Sequence, residues 1–185
     1  MRRERGVTLV ELMVVVVIVA LLAVVSSVSY SGYRRRTLAA EAMANLPLIA
    51  TALESYKAEF GQYLNLSTTP CDTAYTPWDE ISTCQKKIAF TDTARTTPQC
   101  VTNWNALGWK PENSFVVFRY RGAAGTGDPT TPCGAWASNV IPPSVRALGW
   151  YCLEAVADLR CDGGTKTTYR MVSGNTAVVS LNEFE

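Results

Sequence analysis

The residue that first demands a chemical account is Glu11. It stands in a run in which Leu12 to Val25 (LMVVVVIVALLAVV) are all apolar, and which extends back to Val7 with only Thr8 and Glu11 interrupting it. A carboxylate inside a spanning helix costs about 2.5–3.5 kcal/mol on insertion scales, so Glu11 points to a specific partner, the other reading being a snorkelling or protonated glutamate without one. The second chemical set is Cys71, Cys84, Cys100, Cys133, Cys152 and Cys161. An even cysteine count in an exported chain points to disulfides. A zinc site or a thiol nucleophile is disfavoured, because there is no CxxC spacing and no histidine. The missing histidine also removes Ser-His-Asp and Cys-His catalysis and a histidine pH switch. Asp158, Asp162 and Asn175 lie near turns, and turn chemistry accounts for them better than a calcium site does. Arg34, Arg35 and Arg36 could meet the phosphates of DNA or lipid. Just beyond an apolar run, with Tyr30 and Tyr33 beside them, they read more simply as an interface boundary. No catalytic residue, metal or cofactor is expected. Lys plus Arg is 17 and Asp plus Glu 16 in 185 residues, a net charge of +1, which argues against a generic polyanion binder.

These groups must be carried by a small set of elements. Val7 to Val25 as a helix reaches about 28 Å, enough for the hydrocarbon layer of a bilayer. Arg2, Arg3 and Arg5 precede it and favour a cytoplasmic N-terminus. Such a run is also open to reading as a secretory signal cut near Ser27-Val28-Ser29, which would free a soluble exported enzyme starting near Tyr30, or as an ordinary signal anchor. Beyond Arg36, Leu38, Ala42, Leu46, Ile49, Leu53, Tyr56 and Phe60 recur at helical spacing and predict one core-facing stripe, with Glu41, Glu54, Lys57 and Glu59 on the solvent side. Pro47 should bend this helix and Gly61 should stop it. Val7 to Phe60 would then be a helix of roughly 80 Å. Its first half is apolar all round, so it requires lipid or other copies of itself.

Residues 64–110 read as an irregular connector with one short helix near 81–90. Strands are expected at 114–121, 149–159, 165–172 and 176–181, with turns at 162–164 and 173–175 and a Gly/Pro-rich insertion at 122–143. A short antiparallel meander packed on the second half of the long helix makes an α+β fold. Ala-Leu-Gly-Trp occurs at 106–109 and again at 147–150, each read as a turn with an aromatic anchor.

The segment Arg5-Gly6-Val7-Thr8-Leu9-Val10-Glu11-Leu12-Met13 closely resembles the class III leader of type IV pilins and pseudopilins. The resemblance implies cleavage between Gly6 and Val7 by a prepilin peptidase and N-methylation of Val7. It divides the chain into a leader at 1–6, a transmembrane and polymerisation helix at 7–31, and a periplasmic or extracellular head at 32–185. Val7 stands where the family usually has Phe, and Val28 where many major pilins have Pro. Leu107-Gly108-Trp109-Lys110-Pro111-Glu112 also looks like the head region of some pilins.

The role implied is a structural subunit, not an enzyme: stored in the inner membrane, then polymerised into an extracellular pilus through its N-terminal helix. Glu11 would pair with the α-amine of a neighbouring subunit. The partners implied are other copies and other pilins, membrane lipid, the prepilin peptidase, an inner-membrane assembly platform and a cytoplasmic ATPase; DNA or surface binding has no support. A pseudopilin of a type II secretion system and a membrane-anchored extracytoplasmic binding module are the alternatives. For the disulfides, nearest-neighbour pairing gives Cys71–Cys84, Cys100–Cys133 and Cys152–Cys161, the last resembling the C-terminal loop of pilins.

Overall fold

A computed structural model of the chain describes residues 7–66, 88–89, 98–112, 115–129, 134–161 and 166–182. The chain divides into two compact units, Met1–Thr37 and Leu38–Glu185. Helix α1 (Leu9–Phe60) supplies backbone to both. In the first unit every described side chain from Val7 to Val25 is exposed, and α1 is long and apolar enough to cross a membrane.

In the second unit the periodicity of α1 decides its packing. Ala42, Leu46, Ile49 and Leu53 are fully buried, joined by Ala39 and Ala50, as a stripe at i, i+4, i+7 and i+11 dictates. Pro47 lies inside the helix. Gly61 ends it, with φ +75 and its N–H donating to Lys57 O at 2.8 Å, a left-handed cap that glycine adopts without Cβ strain. Two assignments on this helix change. Phe60 is 56% exposed and stacks on Tyr56 instead of entering the core. Glu41 does not face solvent but is half-buried: its carboxylate accepts from Val117 N–H at 3.0 Å, from Phe118 N–H at 3.3 Å and from the Tyr120 hydroxyl at 3.2 Å.

The sheet is the expected four-stranded meander, except that its first strand is not 114–121: the chain bends at Val117 and Phe118, Phe115–Val116 belongs to a separate strand pair, and the meander starts at Arg119 and runs on to Gly125. Strands β3 (Arg119–Gly125), β4 (Trp150–Ala157), β5 (Thr167–Val172) and β6 (Asn175–Leu181) pair antiparallel in sequence order. Tyr120 opposes Ala155, which in turn opposes Tyr169, and all three join the core with the α1 stripe. All of β4 is buried, because its other face is covered too. Ala137 and Ile141, in and just after α3 (Gly134–Val140), pack with Trp150, Cys152, Ala123 and Val172, and α4 (Pro143–Leu148) follows. The 122–143 stretch is therefore no mere insertion. Its first residues finish β3, where a Cβ on Gly122 would lie 2.8 Å from Leu153 Cδ2 and 3.3 Å from Cys152 O; glycine is there for close approach, not to break the strand.

Two further expectations are corrected. The helix near 81–90 lies mostly outside the described residues, but Ile88–Ala89 is a strand, β1, paired with β2 (Phe115–Val116). The 64–110 connector contains a helix, α2 (Pro98–Leu107). Pro98 opens it and Gly108, at φ +74, follows it, the usual asymmetry of helix ends. The two Ala-Leu-Gly-Trp sequences do play one role. Gly108 and Gly149 have positive φ, and Trp109 and Trp150 after them are buried.

Candidate functional site

The chemistry expected of the N-terminus centres on Gly6, Val7 and Glu11. Gly6 lies outside the described residues; Val7 and Glu11 are exposed. Thr8, which the sequence reading passed over, organises the site. The Thr8 N–H donates to Glu11 Oε2 at 3.0 Å, the Thr8 hydroxyl donates to the same oxygen at 2.9 Å, and Glu11 N–H donates to Thr8 Oγ1 at 3.2 Å. This reciprocal arrangement is a capping box, legible as T-x-x-E ahead of an apolar run. It satisfies donors that the first helical turn would otherwise leave orphaned and sets a carboxylate at the positive end of the helix dipole. The acid is held one residue away from Val7, the position at which a cut after Gly6 would create an α-amine. Further along the first unit, Arg35 Nε donates to Ser31 O at 3.4 Å, one helical turn back, and Tyr30 and Tyr33 are exposed.

The polar groups of the second unit are used to hold the fold. Glu154, 1% exposed, is met by Arg121 from β3 and by Arg170 from β5, the latter at 2.7 Å. The cross-strand register puts the three residues in one row, and the Arg170 guanidinium lies over the Trp136 ring. Glu54 accepts from the Tyr63 hydroxyl at 2.9 Å and also from Tyr151. Burial, then the Glu54 charge, pushes the Tyr151 phenol up to about 12. Burial likewise raises Tyr63, helped by its hydrogen bond to Glu54, and raises Tyr120, helped by the charge of Glu41. These phenols are neutral donors at ordinary pH. Asp158 Oδ1 accepts from Arg160 N–H and Cys161 N–H at 3.2 and 2.7 Å, and Asn175 Oδ1 from Ala177 N–H at 3.0 Å, so both side chains shape their own turns. Asp162 lies outside the described residues. Among the described residues no group of His, Cys, Asp and Glu could hold a metal ion.

Among the described residues no cysteine is free. Cys152 and Cys161 are each disulfide-bonded. Cys71, Cys84 and Cys133 lie outside the described residues, and Cys100 is in α2.

Residues 1–27 match the family model described as the prokaryotic N-terminal methylation motif, the signature of type IV pilins and pseudopilins. The match takes in Gly6, Val7, Thr8, Glu11 and the apolar run, and ends before the second unit begins. No curated protein and no solved structure matches the chain.

Proposed function

We propose that the chain is a structural subunit of a type IV pilus, made as a membrane-stored precursor, cut between Gly6 and Val7, methylated on Val7 and polymerised through α1. The observation that carries this reading is the methylation motif at 1–27 running directly into an apolar helix whose described side chains from Val7 to Val25 are all exposed. Apolar area of that extent is not stable in water; lipid covers it first and neighbouring copies cover it later. The second part of α1 adds support. Opposite its buried stripe, Ala40, Met43, Ala44 and Leu48 form a second, exposed apolar line, available to the helix of another subunit.

Glu11 then serves alignment more than stability. Within its own chain the carboxylate is satisfied by Thr8, which lowers the cost of storing it in lipid. On assembly it exchanges that contact, or shares it, with the methylated amine of a neighbouring subunit, whose positive charge methylation preserves. A buried pair of this kind adds little net energy but penalises every misaligned arrangement that leaves a charge alone. The deciding experiment is mass analysis of the mature N-terminus. Methyl-Val7 is the expected result; a start near Tyr30 would leave a soluble protein without the apolar first half of α1 and end the proposal.

A further inference from the structure

Gly32 is a residue that its own chain does not explain. It lies in the middle of α1, where glycine is among the least favourable residues, because it gives up the most backbone freedom and packs no side chain. Its φ is not positive, so no left-handed turn requires it. A Cβ built on it would meet nothing within 4 Å, so no close approach inside the chain requires it either. A helical glycine of this kind suits the close approach of another molecule to the backbone.

The residues around Gly32 say what that molecule carries. Tyr30 and Tyr33 flank it, 67% and 70% exposed, and among the described residues neither ring meets a cation or another ring. Arg36, one helical turn on, is exposed and makes no ion pair or hydrogen bond among the described residues. No Asp or Glu stands between Glu11 and Glu41 in the sequence. A guanidinium is attracted to the face of an aromatic ring, yet within the chain this cation and these rings are not joined.

Glu11 supplies the register that joins them between chains. Paired with the Val7 amine of the next copy, it displaces the two copies by four residues, about 6 Å along the axis. Copies related by one repeated operation keep that displacement at every level, so Arg36 of one copy comes level with Gly32 of the other. Arg36 also looks the right way, since it lies about seven helical turns beyond Glu11 and therefore on the same face. Packed helices stand about 8–10 Å apart, so an arginine between them needs a gap in the facing surface. The missing Cβ of Gly32 leaves one, with a phenol ring on each side.

We propose that Arg36 of one copy lays its guanidinium over Gly32 of the next, between the rings of Tyr30 and Tyr33, and so fixes the register of neighbouring α1 helices beyond the membrane. This rests on the self-assembly reading above and on its Glu11 pairing. The buried area comes from the apolar run, Val7 to Val25, packed along its length. Arg36 contributes selection, because a slipped copy leaves the guanidinium desolvated without a partner. Arginine and glycine seat are different surfaces, so the contact is heterologous and repeats without closing, as a filament requires.

The test uses the full-length protein in cells that assemble it. Arg36→Cys and Gly32→Cys are carried by separate copies, one of them epitope-tagged, because the two positions are only a turn apart within a chain. After mild oxidation, non-reducing electrophoresis of membranes and of the sheared surface fraction should show mixed dimers that reductant collapses. They should exceed the like-with-like dimers of either variant expressed alone by at least about tenfold. Mixed dimers no more abundant than like-with-like ones overturn the contact. Gly32→Leu decides the matter where the cysteine copies do not assemble. Its own chain has room for the side chain, so cleavage and membrane level should be unchanged while filament yield falls by about tenfold or more; full yield overturns the contact. Unsubstituted cells are scored alongside for surface filaments. Cysteine copies that enter filaments without mixed dimers defeat the contact alone. Mixed dimers in membranes of cells without filaments sustain the contact and defeat the pilus reading, and the absence of both defeats both.

Discussion

Val14 and Ile18 belong to the same helix as Leu46 and Ile49, yet the first two are 53% and 51% exposed and the last two are fully buried. Helix geometry is the same in both stretches; the difference lies in the sequence around it. From Leu38 onward apolar residues are confined to faces, with Glu41 and Asn45 placed to bond the strands that cover one of them. From Val7 to Val25 there is no polar face to leave in water, and no element of its own unit covers it. One stretch is completed by its own chain and the other awaits lipid or further copies. Burial inside a monomer therefore reports stability, while the exposed first stretch is the surface on which the proposed assembly would act.

Substitutions that separate stability from assembly test this contrast, and the largest effect is expected at Glu11. In Glu11→Ala, cleavage at Gly6–Val7 should proceed normally while incorporation into sheared filaments falls more than roughly a hundredfold, the cost of leaving a neighbour's amine unpaired being about 3–5 kcal/mol. Quantifying methyl-Val7 peptides in membranes and in filaments checks both halves. Normal filament yield would remove the charge pair from the mechanism. Next comes Leu46→Ala, which opens a cavity in the core cluster that also holds Phe118 and Leu153 and should lower stability by about 2–5 kcal/mol in denaturant unfolding followed by tryptophan fluorescence. Val16→Ala, the matched change in the exposed stretch, should leave that unfolding curve in place.

Glu41→Ala sharpens the comparison from the polar side. It removes the acceptor of two backbone N–H groups and a phenol, and should cost about 1–3 kcal/mol, with Glu41→Gln recovering part of it. Tyr151 gives the corresponding pH dependence. Its phenol is raised from an ordinary 10 to about 12 in the folded chain, so folding favours the protonated form. That contribution is whole below pH 10 and is lost as pH climbs through about 12. Thermal unfolding between pH 9 and 12, read beside tyrosinate absorbance, should show stability falling across that window, and Tyr151→Phe should flatten the fall.

How legible all this was in the sequence follows the same division. The motif and the apolar run depend on local residue order, and they could be read directly. The α1 stripe and the strand sequence of the meander were legible because period fixes face. Glu41 was misread since its spacing puts it beside the core stripe, and only the turn at Val117 and Phe118, far away in sequence, makes it a clamp. Gly122 was assigned to the Gly/Pro-rich insertion because composition does not distinguish a loop glycine from one pressed against Leu153. Helix α2 had its marks, Pro98 at the start and Gly108 after the end, but the surrounding Thr, Pro and Asn hid them.

The smallest effect is expected at Thr8, where the two kinds of order meet. Thr8→Val keeps shape and β-branching but removes the hydroxyl that gives to and receives from Glu11. Losing an N-cap costs about 1 kcal/mol, and the head, whose stability is set from Leu38 onward, should unfold as before. The change should appear instead as faster amide exchange at Leu9 to Glu11 in the membrane-stored protein. Thr8→Ser, which preserves both hydrogen bonds, should restore slow exchange. Were Thr8→Val to exchange as slowly as Thr8→Ser, the first turn would owe its order to the surrounding apolar packing, and Glu11 would reach its neighbour without first being held by its own chain.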